Sequence, residues 1–351
     1  MTEIQIGSRK IGPGHPTFII AEISANHNKS IDIARETILA AAAAGADAIK
    51  LQTYRPDTIT FPSESRPFRI ADGTVWDGRT LFDLYEEGQT PWEWHEELFR
   101  FARQQGLEAF SSPFDPTAVH FLMELGVPAF KVASFEIVDI PLIRLIAKQG
   151  LPVILSTGIA QEDDIAAALL ECQAVGNEQV VILKCTSAYP APFSELNLRT
   201  IEDIPTRFGY LSGLSDHTMS TTAAVIAVAM GASIIERHII LDRRLGGLDS
   251  TFSTDALEFA ELVQRVREAE LAVGEVNYDL TPRTAASRRH SRSLFVIADV
   301  EAGDAVSLEN VRSIRPADGM PPKMLSAVLG RRFVRDTPAG TPLSEALLEG
   351  S

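Results

Sequence analysis

Short apolar runs alternate with longer amphipathic stretches along most of the chain. TFIIAEIS (17–24) predicts a buried strand, and the alanine-rich run from Ile31 to Ala44 predicts a helix that ends at Gly45. AIKLQT (48–53) predicts the next strand. A long polar segment, 54–90, precedes a helix beginning near Trp92. EAFSSP (108–113), AFKVAS (129–134), PVILST (152–157), VVILKCT (180–186), GYLSGLSD (209–216) and SIIERHII (233–240) complete a set of eight strands, each followed by a helical pattern. The last helix runs from about Asp255 to Val273. It places Phe259, Val263, Val266 and Leu271 near one face before Gly274.

Strands that alternate with helices imply a parallel sheet, and eight such units fit a closed (β/α)8 TIM barrel in the α/β class. A doubly wound sheet is the rival. It would place a G-x-G-x-x-G turn after the first strand, where this chain has SANHNKS. The barrel is expected over residues 1–275 and a linker over 276–290. A small β-rich domain is expected over 291–351. Within that last segment ADVEAGDAVSLENV echoes RDTPAGTPLSEALL, which predicts pseudo-repeated hairpins.

Composition narrows the function classes. The 351 residues are 45% hydrophobic and 23% charged, as expected of a folded chain. The net charge of −15 argues against a nucleic-acid or membrane-surface binder, although a local site can still attract an anion. Cys172 and Cys185 are too few for a disulfide framework and lack metal-finger spacing. The polar N-terminus has no signal-peptide apolar run, and no stretch approaches a membrane span. A cytoplasmic protein is expected.

Polar residues gather where a barrel keeps its chemistry, at the C-terminal strand ends. Lys50 and Lys131 lie inside separate strands, where an unpaired lysine is costly. With Ser112, Ser134, Ser156 and Ser215 they predict a pocket for a phosphate-like anion. The alternatives are structurally paired lysines and serines that merely cap helices. His217 and His238 end neighbouring strands. They predict either a divalent-metal site completed by water and substrate oxygens, or histidines hydrogen-bonded to Glu236 or Asp216. His27 is a weaker ligand candidate. His15, His95, His120 and His290 read as surface or capping residues.

The motifs FIIAEISANHNKS, GADAIKLQTYRPDTIT, FSSPFD, KVASFE, LSTGIA, LKCTSAYP, GLSDHT, ERHIILDR and RPADGMPP resemble those of the sialic acid synthase family over nearly the whole chain. SANH and the segment from Trp76 to His95 resemble its pseudaminic branch rather than its N-acetylneuraminate branch. The resemblance implies condensation of phosphoenolpyruvate with an open-chain acetamido sugar, giving a nine-carbon keto acid and phosphate. It implies a divalent metal, Mn2+ or Mg2+, on His217 and His238. Phosphoenolpyruvate would contact Lys50, Ser112, Lys131, Ser134, Ser156 and Ser215. Glu22 and Glu136, with Lys50 and Lys131, would be catalytic. Gln52, Ser187, Tyr189 and Asp249 would face the sugar, together with Arg315. The C-terminal part would be an antifreeze-like (SAF) domain that brings Arg315 to the partner's site in a domain-swapped homodimer. Ser187 stands where N-acetylneuraminate synthases often have asparagine, so a dideoxy, diacetamido sugar is expected instead. The expected substrate is 2,4-diacetamido-2,4,6-trideoxy-altrose. The alternatives are N,N'-diacetyllegionaminate or N-acetylneuraminate synthesis, or a non-catalytic sugar-binding protein.

Overall fold

The computed structural model describes residues 3–71, 73 and 76–350 and divides into two units, Met1–Gly274 and Glu275–Ser351. The first opens with a hairpin, Ile4–Ile6 paired antiparallel with Arg9–Ile11. Alternation in IQI turns Ile4 and Ile6 inward, where both are buried with Ile11. Reading the N-terminus as merely polar misses this hairpin.

Eight parallel strands follow: β1 (Phe18–Glu22), β2 (Ala48–Thr53), β3 (Glu108–Pro113), β4 (Phe130–Val132), β5 (Val153–Ser156), β6 (Val180–Cys185), β7 (Leu211–Asp216) and β8 (Ile234–Ile240). Each pairs with the next, and β8 pairs with both β7 and β1, which closes the barrel. The expected fold is therefore present. The strands are buried along their length because helices cover their outer faces, so they read as continuous apolar runs rather than alternating ones.

Helix α1 (Ile31–Ala44) has the predicted ends. The Ser30 hydroxyl accepts the Ile33 N–H, and Gly45 takes a left-handed φ of 89° that a side chain would resist. The polar segment 54–90 contains an unforeseen helix, α2 (Leu81–Gly88), capped by the Thr80 hydroxyl, before α3 (Trp92–Gln104). The final barrel helix, α4 (Ala256–Val273), buries Phe259, Leu262, Val263, Val266 and Ala269. Leu271 is 85% exposed, contrary to expectation, because a five-residue step from Val266 leaves the buried stripe. No helix among the described residues is long and apolar enough to cross a membrane.

The second unit begins with an exposed helix, Pro282–Arg288, inside the span expected to be a plain linker. Strands β9 (Ser293–Val296) and β10 (Val311–Ile314) then pair antiparallel. Leu294, Val296, Val306, Val311, Phe333 and Leu343 are part of a separate small core. The sequence echo has a physical counterpart. Val300 pairs with Thr337. The Asp299 carboxylate accepts the Ala339 N–H, and the Asp336 carboxylate accepts the Ala302 N–H, each at 2.8 Å. Gly303 and Gly340, at φ 93° and 88°, donate to the Phe333 and Val296 carbonyls. The two halves thus cross-pair about a local pseudo-twofold.

Candidate active site

A cavity of about 370 Å³ opens among the strand ends of the barrel. The pleat selects what enters it. Lys50 and Gln52, two apart on β2, both line it, and parallel register sets Lys50 opposite Glu22 and Gln52 opposite Ser112. Of the residues expected from sequence, Lys50, Gln52, Ser112, Lys131, Ser134, Glu136, Ser156, Tyr189, Ser215, His217, His238 and Asp249 line this one space. Glu22 is fully buried beneath, ion-paired with Lys50. Ser187 is not in the wall; its hydroxyl lies 3.9 Å from Cys185 Sγ. Arg315 is exposed on the second unit.

The floor is a charge-balanced quartet. Lys50 Nζ lies 3.7 Å and Lys131 Nζ 3.9 Å from Glu236 Oε1. The lysines are thus paired, and both also line the cavity. Burial pushes Glu22 above the usual carboxylate range despite Lys50. At Glu236 burial acts the same way, but Lys131 and Lys50 outweigh it and hold the group low. Lys50 is raised because Glu22 and Glu236 overcome its burial, whereas burial prevails at Lys131 and lowers it. Glu236 is a site residue the sequence reading did not assign. Its position two before His238 on an inward face was the available signal.

The hydroxyls around this floor differ in what they already do. Ser112 accepts from Lys50 Nζ at 3.2 Å, and Ser215 donates to Glu236 at 3.4 Å. Ser134 accepts the Gly158 N–H at 3.2 Å. Ser156 Oγ is buried with no hydrogen-bond partner, a cost that a bound anion would remove. Glu136 Oε2 is likewise unpartnered, and burial pushes the Glu136 carboxyl up to about 7.

His217 and His238 approach with ring centroids 5.3 Å apart. Neither bonds Glu236 or Asp216 among the described residues. Asp216 instead pairs with Arg237. The Nδ1 of His217 faces the Thr186 carbonyl at 3.2 Å, which favours the tautomer with a free Nε2. His238 Nδ1 is buried without a hydrogen-bond partner, 4.0 Å from Asp249 Oδ2. Burial first, and then His217, hold His238 well below the usual imidazole range, so it is a neutral donor. No group of three His, Cys, Asp or Glu among the described residues forms a complete ligand set. Two nitrogen donors fit a divalent ion whose other ligands are oxygens of water and substrate. His27 does not line the cavity; it bonds Thr90 and the Lys29 N–H. His95, expected to be a surface or capping residue, is fully buried against Thr53.

An aromatic wall was not foreseen. Tyr54, Trp76, Tyr85, Phe114 and Phe252 join Tyr189 around the cavity. Tyr189 lies 4.9 Å from Phe252 and 4.6 Å from His217 between ring centroids. The loop after β8 brings in Asp249 and Phe252. It is drawn back by Thr254–Asp255, which pairs with Ile239–Ile240. The cavity therefore has a charged, hydroxyl-rich floor, a histidine pair, and an apolar rim of ring faces.

Residues 37–278 match the NeuB family, and residues 291–349 match the SAF domain. The chain is 42% identical over 337 residues to the pseudaminic acid synthase of Helicobacter pylori, covering 96% of this chain and 99% of that one. It is 43% identical over 329 residues to the pseudaminic acid synthase of Campylobacter jejuni subsp. jejuni serotype O:23/36, covering 94% and 96%. It also resembles the crystal structure of N-acetylneuraminic acid (sialic acid) synthetase from Leptospira borgpetersenii serovar Hardjo-bovis in complex with citrate. That match has a TM-score of 0.73 and 30% identity, over 82% of this chain and 95% of that one. With its barrel, its site and its C-terminal SAF domain, the chain belongs to the NeuB family of sialic acid synthases, which are phosphoenolpyruvate-using transferases.

Proposed function

We propose that this enzyme condenses phosphoenolpyruvate with 2,4-diacetamido-2,4,6-trideoxy-altrose and water to give pseudaminic acid and phosphate. The observation that carries the reading is one cavity in which a lysine–serine floor adjoins a histidine pair beneath an aromatic wall. The likeness to two pseudaminic acid synthases over nearly the whole chain supports it. A sugar with a C6 methyl and two acetamido groups is largely apolar on its rim, which suits ring faces such as Trp76, Tyr189 and Phe252.

Lys50 and Lys131, with Ser112, Ser134, Ser156 and Ser215, hold the phosphate group through the reaction, chiefly as positioning. Gln52, Tyr189 and Asp249 orient the aldehyde sugar so that C3 of phosphoenolpyruvate bonds its C1. His217 and His238 would hold a divalent cation, manganese or magnesium, which would supply Lewis-acid polarisation of a carbonyl oxygen. Positive charge develops at C2 as C3 attacks, and water adds there. Glu136, which burial raises to about 7, takes that water's proton and passes it to the former aldehyde oxygen, which becomes the product's C4 hydroxyl, and Glu22 steadies the charge beside Lys50. The C2–O bond to phosphate then breaks while the C2 hydroxyl becomes the keto group and gives its proton to the departing phosphate, which stays on the lysine floor.

The working unit we propose is a homodimer in which Arg315 of one chain reaches the other's site. Exposed Phe61, Phe135, Phe193, Met219 and Leu245 on the loops after β2, β4, β6, β7 and β8 support it, because they offer an apolar face at the cavity end of the barrel. The test is phosphate release with each purified sugar. Turnover should be fastest with the 2,4-diacetamido-2,4,6-trideoxy-altrose substrate, with a nine-carbon product. Preference for N-acetylmannosamine or the legionaminate precursor would reassign the sugar. Sugar binding without phosphate release would remove the enzyme reading.

A further inference from the structure

Ser24 stands between the two ends of the site. It is 3% exposed, lines the cavity, and has a φ of 50°. Residues other than Gly, Asn and Asp rarely adopt that conformation, because the Cβ crowds the backbone. Nothing about the loop requires a serine for the turn itself; glycine would make the turn without strain.

The side chain and the amide of Ser24 are both committed, and to different halves of the site. Its N–H donates to Glu22 Oε1 at 3.0 Å, the carboxylate that pairs with Lys50 in the anion floor. Its hydroxyl donates to Asp249 Oδ2 at 2.5 Å and accepts from Gln52 Nε2 at 2.9 Å. The left-handed backbone is what lets one residue face both directions. The far side of Asp249 is fixed independently: its carbonyl accepts from the Ser253 hydroxyl, which accepts from Asn26 Nδ2. Asp249 thus has its main chain held through its carbonyl, which also accepts the Phe252 and Ser253 N–H groups, and its carboxylate aimed chiefly by the Ser24 hydroxyl, with the Ala25 N–H farther off at 3.4 Å.

We propose that Ser24 is a positioning residue for sugar recognition, aiming Asp249 and Gln52 through its hydroxyl while its amide ties them to Glu22. The strained backbone is retained for that link, as is common at functional sites. The inference rests on the reading of Asp249 and Gln52 as sugar contacts.

Two substitutions separate strain from aim. Ser24→Gly relieves the backbone, keeps the amide on Glu22 and removes the hydroxyl. Ser24→Ala keeps the strain and removes the hydroxyl. Both should raise KM for the sugar about tenfold or more, the scale of a hydrogen bond to a charged group, with KM for phosphoenolpyruvate within about twofold. The melting temperature of Ser24→Ala should fall below that of Ser24→Gly, because both lose the hydroxyl and only alanine keeps the strained φ. Asp249→Asn and the double variant Ser24→Gly/Asp249→Asn complete a cycle, in which the effects should be non-additive. Impaired Asp249→Asn with unimpaired Ser24→Gly would overturn the role of Ser24 alone, as would additive losses or equal losses for both substrates. Unimpaired Asp249→Asn would overturn the sugar-contact reading itself, and the proposal with it.

Discussion

Asp216 and Arg237 face each other across the β7–β8 ladder in direct register, with Oδ2 and Nη2 2.7 Å apart. Both are almost fully buried. Their inward neighbours on the preceding rung are Ser215 and Glu236, and the residues that follow them are His217 and His238. Arg237 also bonds the carbonyls of Thr218 and Ser220, so it pins the loop that leaves His217. Asp216→Asn would strand a buried guanidinium, and we expect a loss of about 3–5 kcal/mol by urea denaturation. Binding of Mn2+, followed by its paramagnetic resonance signal, should weaken in the folded variant.

Lys50 is the cation between Glu22 and Glu236. Lys50→Met should raise KM for phosphoenolpyruvate about a hundredfold or more and destabilise the fold by roughly 3 kcal/mol, since buried Glu22 loses its partner and Glu236 keeps only Lys131. Adding Glu22→Gln should restore much of the stability and none of the activity. Calorimetry alongside phosphate release checks both parts.

Glu136 titrates near 7 in the fold against an ordinary 4.5, chiefly because burial disfavours its charge. The folded chain binds this proton more tightly than the unfolded chain. The group's stabilisation is therefore full below about 4.5 and is lost as pH rises through about 7. Glu136→Gln removes that loss. Its stability relative to wild type should grow between about pH 5 and pH 8, by up to roughly 3 kcal/mol. As the proposed base, wild-type Glu136 should give a kcat that rises with pH through about 7. The variant should lose that limb and about a hundredfold or more in kcat.

Chelation should abolish phosphate release, and added Mn2+ or Mg2+ should restore it. His217→Ala and His238→Ala should not recover at the same metal concentration. Wild-type turnover in a fully chelated sample would remove the metal from the reaction.

The barrel was readable because its strands are buried on both faces, and their rare polar members, such as Lys50 and Lys131, stand out against Ile, Val and Leu. Gly45 marked the end of α1 by its chemistry. The helix α2 was missed although Thr80 before LFDLYEEG is a cap before an amphipathic turn; its acidic residues masked the stripe. His95 was misplaced although it shares a helical face with Phe99 and Ala102, all three buried. The partner of Asp216 follows from register across two strands, which no local pattern encodes. The aromatic wall is assembled from loops as distant as Tyr54, Tyr189 and Phe252, so only the closed barrel reveals it.

The mutual pairing in the second unit has a consequence for how that unit can be assembled. Asp299 serves the other half through Ala339, as Asp336 serves the first through Ala302, so each half is a template for its counterpart. Such a unit behaves as a two-part clasp carried on one strand of peptide. A cut in the exposed stretch near Asp318 should leave fragments able to re-associate, and losses from Asp299→Ala and Asp336→Ala should be nearly interchangeable.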